Sequence, residues 1–341
     1  MSVTDIAALK QQAYSCFEQG DFSGSAALLS QVESLTGSNP SLANDIAVSL
    51  FKAGELQKAL ERFRHAAELQ AQSSFLIADN LSEMMGTLIE QKPQPGLLNH
   101  LSSTYCPVCQ SCNEGFKPLP DMYRQNSEKV GYKHFGKGEM TPRDSYFCSV
   151  CGASDRERLY AYWISLACAR NKLDKESRLI HFAPESGLAS WIKKCGFKHH
   201  YTSDYMMSGV DYACDLMNLA FEDGSVDFFI CSHVLEHVRD DRKALSELHR
   251  VTRPGALGIL MVPIIVGLEE IDEDPDETDP NERWRRFGQD DHVRLYNRKG
   301  FVDRILESGF KVDLLDSQYF GAATYESMGL KPESTLYIVE R

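Results

Sequence analysis

From residue 179 onward the chain alternates short apolar runs with helix-like stretches, and this limits its fold more than any other feature. The runs fall at 179–183, 200–203, 226–232, 256–263, 311–315 and 335–339, with helix-like stretches at 188–194, 240–252 and 299–308. Strand–helix alternation implies an α/β domain with a doubly wound, mostly parallel sheet covered on both faces. Ligands of such sheets bind beyond the carboxyl ends of the strands, at the point where the strand order reverses. The residues at those ends therefore carry the functional reading.

After the first run comes His-Phe-Ala-Pro-Glu-Ser-Gly, residues 181–187, where a nucleotide-binding domain would place a glycine-rich turn. The second run ends at Asp204, followed by Tyr205, and an acid there can accept hydrogen bonds from a ribose diol. Asp215 and Leu216 close the next short segment, where a carboxylate can meet an adenine amino group. The run 226–232 leads through Cys231 and Ser232 into His233-Val-Leu-Glu-His237, and Arg253-Pro-Gly255 reads as a turn before the run 256–263.

In this order of loop, acid, Asp-Leu, strand, "LEH", "RPG" and strand, the segment from Leu179 resembles the class I S-adenosylmethionine-dependent methyltransferases, a Rossmann-like family. Two Cys-x-x-Cys pairs upstream, Cys106/Cys109 and Cys148/Cys151, and the stretch 290–301, "DDHVRLYNRKGF", resemble a subgroup with a metal module before the methyltransferase domain. The resemblance implies S-adenosylmethionine as cofactor. Its methionine part would face Phe182, Ala183, Pro184, Glu185 and Gly187; its ribose would meet Asp204, and its adenine Tyr205, Asp215 and Leu216. Cys231, Ser232 and His233 would border the methyl-donor sulfur. The family usually has an acid at the position of His181 and glycines at those of Ala183 and Glu185, so the first loop departs from the pattern. Glu185 is the residue that could supply the carboxylate for the methionine ammonium.

His-x-x-Glu-His also spells an inverted zinc-protease motif, which requires a helix. Emerging from an apolar strand, it fits the methyltransferase order instead. A hydroxyl acceptor needs a general base, and histidine is the usual choice near neutral pH. His237 is the first candidate, with His233 and His292 next; each has the plainer reading of a residue that satisfies the backbone. The run 269–282 holds nine acids and no base, and reads as a solvated loop with Arg285, Arg286 and Arg294 as acceptor contacts.

Upstream lie two matched pairs, Cys106-x-x-Cys109 and Cys148-x-x-Cys151. Two such knuckles complete a tetrahedral four-cysteine site for structural zinc in a ribbon-like module; iron or dithiol redox chemistry is the alternative. Cys112 is a spare. Ser154-Asp-Arg-Glu157 has the form of a capping box opening a helix through about residue 170.

The first segment is helical and repeated. A displacement of 34 residues superimposes Ala13 on Ala47, Phe17 on Phe51, Gly20 on Gly54 and Leu29 on Phe63. This period resembles the tetratricopeptide repeat over roughly 6–72, with 74–90 as a third or capping helix. A generic helical bundle is the alternative. Such repeats imply a protein partner.

The expected divisions are therefore helical repeats at 1–90, a linker at 91–104, the zinc module at 105–153 and the methyltransferase domain at 154–341. The formal charge of −13 divides as −5 over 1–100, +3 over 101–178 and −11 over 179–341, which disfavours nucleic acid as the main partner. With no signal-peptide pattern and no run long enough to span a bilayer, a cytoplasmic location is expected. The expected activity is methyl transfer to a small molecule or glycan precursor. An RNA or protein acceptor, and a non-catalytic scaffold, are the alternatives.

Overall fold

The computed structural model describes residues 3–69, 104–113 and 115–341, which fall in two compact units, Met1–Leu101 and Ser102–Arg341. The expected helix at 74–90 and the linker, apart from Thr104, lie outside the described residues.

The first unit contains α1 (Val3–Glu18), α2 (Phe22–Thr36), α3 (Pro40–Lys52) and α4 (Leu56–Leu69). Gly20 and Gly54, both at φ +81°, end α1 and α3 in the left-handed conformation that glycine adopts without steric cost. The same pair of bonds closes each turn. Gly20 N donates to Phe17 O and Asp21 N to Cys16 O; Gly54 N donates to Phe51 O and Glu55 N to Leu50 O. The 34-residue displacement thus relates backbone geometry as well as residue types. Ala13, Ala47, Leu29 and Phe63 are all buried. Asn39 caps α3 by accepting from Leu42 N, and Pro40 occupies its first turn, where a missing N–H costs nothing.

The second unit begins with β1 (Thr104–Cys106), β2 (Ser111–Asn113), β3 (Phe116–Lys117), α5 (Met122–Val130) and β4 (Phe147–Cys148). The β1–β2 and β3–β4 pairs are antiparallel. Helix α6 (Asp155–Ala169) opens on a complete capping box: Ser154 Oγ accepts from Glu157 N, and the Glu157 carboxylate accepts from Ser154 N at 2.8 Å.

The large sheet uses β5 (Arg178–Phe182), β6 (His199–Asp204), β7 (Tyr212–Ala213), β8 (Val226–Ser232) and β9 (Thr252–Met261), completed by β12 (Lys311–Leu315) and β13 (Leu336–Glu340). Its spatial order is β12-β13-β9-β8-β5-β6-β7. Strand β13 is antiparallel to both neighbours, and the other pairs are parallel. The order reverses between β5 and β8. Helices α7 (Ser186–Lys194) and α8 (Asp241–Val251) follow β5 and β8. Strand β8 is buried on both faces, which is why it reads as a near-continuous apolar run. Gly258 of β9 lies under Phe229, whose ring a Cβ would meet at 2.3 Å.

Arg253-Pro-Gly255, expected as a turn before the run 256–263, belongs to β9 itself. The register jumps from Val226↔Thr252 to Phe228↔Leu257, so these residues form a bulge, with Gly255 at φ +77°. Beyond β9 the chain adds β10 (Asp272–Glu273), α9 (Pro280–Phe287), β11 (Arg294–Leu295), α10 (Arg298–Glu307), α11 (Ser317–Phe320) and α12 (Ala322–Ser327). Strands β10 and β11 pair antiparallel, placing part of the acidic run in regular structure. Asp272 pairs with Arg286 and Glu273 with Arg294 and Arg304, so this part is a neutralised hairpin rather than the expected solvated loop. Among the described residues no helix is long and apolar enough to cross a membrane.

Candidate active site

At the end of β5, Ala183 sits at φ +46° and donates its N–H to Ser203 O at 2.9 Å. Left-handed geometry costs a non-glycine residue roughly 1–2 kcal/mol. The backbone turn of a glycine loop is therefore present without the glycine. Pro184 follows, and Glu185 precedes α7 with an ordinary φ of −67°. A Cβ on Gly187 would meet Glu157 Oε1 at 2.9 Å, the oxygen that also accepts from Leu188 N. The lone glycine of this loop thus lets α7 close onto the start of α6.

The Glu185 carboxylate turns inward. Its Oε2 lies 2.9 Å from His181 Nε2 and its Oε1 3.3 Å from Arg156 Nε. Burial alone would raise its pKa, but the His181 hydrogen bond and the His181 and Arg156 charges hold it at about 2. The expected role of Glu185 as receiver of a ligand ammonium does not match this placement, because Oε2 already faces His181 and Oε1 faces Arg156. Behind it, the His181 and His200 rings lie 5.8 Å apart and both residues are buried. Neither His200 nitrogen has a hydrogen-bond partner among the described residues.

At the end of β6, Asp204 Oδ1 accepts from the N–H groups of Met206 and Met207, each at 2.6 Å. The turn thrusts Tyr205 outward, 70% exposed. Asp215 Oδ1 accepts from Met217 N at 2.8 Å, and Leu216 is buried beside it.

Strand β8 delivers Cys231 and Ser232, both buried, with Ser232 Oγ 2.9 Å from Tyr160 Oη of α6. Burial pushes the Cys231 thiol pKa far up, so it stays protonated. His233 follows at φ +56°. Residues 233–237 form a turn, not a helix, which removes the geometry that a zinc-protease reading needs.

The segment after α9 pins that turn. Val293 N donates to Glu236 O at 2.9 Å, and Asp291 Oδ2 lies 3.2 Å from His237 Nδ1. Arg294 donates to the carbonyls of Leu235, Val238 and Arg239. Arg294 is 1% exposed, Arg286 is paired with Asp272 and Asp274, and Arg285 with Glu282. These three arginines, expected as acceptor contacts, hold the protein's own carbonyls and acids instead.

The turn also gathers imidazoles around one carboxylate. Glu236 is fully buried, with His233 Nδ1 at 3.4 Å and His237 Nε2 at 3.9 Å from its Oε1. The His292 ring stacks edge-on to His237 at 4.6 Å, and its Nδ1 lies 3.3 Å from Phe287 O. Burial would raise the Glu236 pKa; the facing histidines lower it to about 2.

Beside this turn opens a cavity of about 320 Å³, lined by His233 and His292. Its other walls include Tyr132, Phe135, Arg143 and Trp284. Arg143 lies over the Phe135 ring, 5.2 Å from its centroid. His237, the first sequence candidate for a base, is not among the lining residues.

In the four-cysteine segment, Cys106 Sγ lies 3.7 Å from Cys151 Sγ and Cys109 Sγ 3.8 Å from Cys148 Sγ, and all four sulfurs fall within 4.8 Å of one another. The side chain of Cys112 lies outside those described. Arg158 of α6 supports this segment from below. It donates to Ser145, Tyr146, Ala153 and Met328 carbonyls, and its guanidinium stacks 3.9 Å over Phe116.

With the sheet order and the strand ends in place, the comparisons with known proteins have a structural meaning. Residues 178–260 match the family model described as a methyltransferase domain. Residues 178–260 thus carry the pattern of a methyltransferase domain. Over 50 residues it is 46% identical to uncharacterized methyltransferases of Mycobacterium sp. strains KMS and JLS, covering 15% of this chain and 20% of each relative. It thus spans about a fifth of the length of the curated relatives it matches. An S-adenosylmethionine-dependent methyltransferase from Mesorhizobium loti aligns at 16% identity and TM-score 0.34, over 51% of this chain and 96% of that one. A putative one from Listeria monocytogenes aligns at 13% identity and TM-score 0.35, over 52% and 97%.

Within the stretch 178–260, the structure brings Phe182–Gly187, Asp204, Asp215, Leu216 and Cys231–His233 to the carboxyl ends of the parallel strands β5, β6, β7 and β8. Sequence reasoning gave Glu236 no role of its own and gave the cavity residues Tyr132, Phe135 and Arg143 none. Glu236 could have been suspected, because a single acid sat between two histidines on a strand end. The cavity walls left no signal, since they belong to segments without periodicity.

Proposed function

We propose that the chain transfers a methyl group from S-adenosylmethionine to a small acceptor held in the 320 Å³ cavity. The observation that carries this reading is the position of His233. It directly follows β8, after Cys231 and Ser232, and it also lines the cavity. One side chain thus borders both the cofactor cleft and the acceptor chamber.

The strand ends fit this cofactor by their chemistry. Positions 182–187, 204–205, 215–216 and 231–233 offer acids and apolar groups and no lysine or arginine, which suits a cationic ligand without phosphates. Asp204 would hold the ribose with the oxygen opposite Oδ1, Asp215 and Leu216 the base, and the left-handed turn at Ala183 the amino-acid end. When bound, the cofactor supplies a methyl group activated on a sulfonium. The protein's own contribution is orientation in a site closed to water, where much of such an acceleration arises. His233 is the base of this reading: its Nδ1 lies toward Glu236, and the residue lines the cavity. It replaces His237, whose Nδ1 faces Asp291.

Aromatic faces at Tyr132, Phe135 and Trp284 with Arg143 among them suit an acceptor with a flat or sugar-like body and an acidic group. The volume is at the small-molecule end of ligand pockets. The four cysteines fit tetrahedral zinc by number, donor type and spacing. Their ion would fix the two knuckles between which residues 110–147 supply much of the cavity wall.

Calorimetry on the full chain tests the reading. Asp204→Asn keeps an oxygen for the Met206 and Met207 amides but removes the charge, and should weaken S-adenosylmethionine at least tenfold. No cofactor binding by the wild-type, metal-replete chain would overturn the proposal.

A further inference from the structure

The carboxylate of Glu236 is completely buried, and neither oxygen accepts a hydrogen bond of good geometry among the described residues; His233 Nδ1 at 3.4 Å and His237 Nε2 at 3.9 Å are the nitrogens that face its Oε1. A buried charge left that way is costly unless paired or bound to a metal. One donor atom from each of Glu236, His237 and His292 lies within 4.8 Å of the other two. We infer that Glu236, His237 and His292 form a site for a first-row divalent metal ion that opens onto the cavity.

Three further observations support it. The outer nitrogens of both imidazoles are already engaged: His237 Nδ1 faces Asp291 Oδ2 at 3.2 Å, and His292 Nδ1 faces Phe287 O at 3.3 Å. A carboxylate or carbonyl on the far ring nitrogen is the usual way a protein orients a ligating histidine and fixes its tautomer. The inner nitrogen then presents its lone pair, and for His237 this is Nε2, 3.9 Å from Glu236 Oε1. Two ligands about 2.1 Å from one ion can stand up to ~4.2 Å apart, so this pair already spans a coordination site. Finally, Arg294 and Val293 lock the backbone of the Glu236 turn, so the donors sit on a rigid frame.

Two imidazoles and one carboxylate select manganese, iron, cobalt or zinc over magnesium and calcium, which favour all-oxygen sites. This donor set differs from the four thiolates at the knuckles, which select zinc. Of the three ligands His292 lines the cavity, and a coordination position left open on that side would take an oxygen of the acceptor. Only this last role rests on the methyl-transfer reading; the site itself does not.

Manganese is the probe, because thiolate sites take it poorly. Full-length protein holding its zinc is titrated with Mn²⁺, and bound metal is read from loss of the free-ion paramagnetic resonance signal. We expect one Mn²⁺ per chain, at least tenfold weaker binding in Glu236→Gln and His292→Gln, and a smaller weakening in Asp291→Asn. Circular dichroism checks that each variant is folded. Wild-type protein that leaves millimolar Mn²⁺ free, and holds no metal beyond that of the cysteines, overturns the site whatever the variants do. Equal binding by folded Glu236→Gln overturns it too. Mn²⁺ binding without S-adenosylmethionine binding upholds the site and refutes its role toward a methyl acceptor. Cofactor binding without Mn²⁺ binding refutes the site and leaves the methyl-transfer reading standing.

Discussion

Arg294 donates from Nη1 to the Leu235 carbonyl at 2.5 Å, joining the β10–β11 hairpin to the turn that follows β8. The same guanidinium reaches Val238 O and Arg239 O, and Glu273 Oε2 at 3.1 Å. A planar fork on three convergent carbonyls is a geometry that a lysine ammonium does not reproduce.

Arg294→Lys should therefore loosen residues 233–239 while preserving the charge. The expected loss of stability is about 2–4 kcal/mol, since buried carbonyls lose their donors. Urea unfolding measures it. Amide hydrogen exchange should show faster opening at 235–239 than in β5, and equal protection in both segments would contradict this role.

Arg158 makes the corresponding prediction for the cysteine segment. Its side chain is buried and donates to four carbonyls, three of them at 145, 146 and 153 and one at 328. Arg158→Met keeps the stem but strands those carbonyls, at a cost of about 3 kcal/mol or more. Limited proteolysis should then cut first between residues 119 and 146. Unchanged stability and an unchanged cleavage pattern would show that the four bonds carry little.

His200 links stability to pH. Burial first, then the nearby His181 and Lys193 charges, lower its pKa from 6.5 to about 4. Between those values the unfolded chain binds the proton and the folded chain does not. Its contribution is thus fully present above pH 6.5 and is lost as pH falls toward 4, amounting to ~3 kcal/mol at most. His200→Leu should remove this slope and raise stability at pH 5 more than at pH 8. Denaturation curves at the two pH values decide it; parallel slopes in both proteins would refute it.

Ala183 offers a stabilising change. Ala183→Gly relieves a left-handed alanine but adds freedom to the unfolded chain, so the expected gain is between zero and about 1 kcal/mol. A loss above 1 kcal/mol in thermal unfolding would mean that the methyl group packs in a way that outweighs the strain.

The alternation of apolar runs was enough to read the parallel sheet, because β8 from Phe228 and β9 from Gly258 are buried on both faces and are almost wholly apolar there. The strand-end residues were legible for the same reason: topology places them together whatever their loops do. Arg158 and Arg294 were not, since arginine reads as a surface residue until its carbonyl partners are known. The two-residue strands β10 and β11 are too short to show a period, so the acidic run looked solvated while Arg286, Arg294 and Arg304 were neutralising it. The bulge at 253–255 had turn chemistry and strand geometry at once.

None of the residues lining the cavity lies in the seven strands of the large sheet; they come chiefly from 119–146 and 263–295. The scaffold that orients the strand ends and the chamber beside it are therefore separable traits. Lengthening or exchanging either segment would reshape the chamber while leaving every ladder of the large sheet intact. A lineage, or a designer, could change what this chamber admits by recombination at two loops.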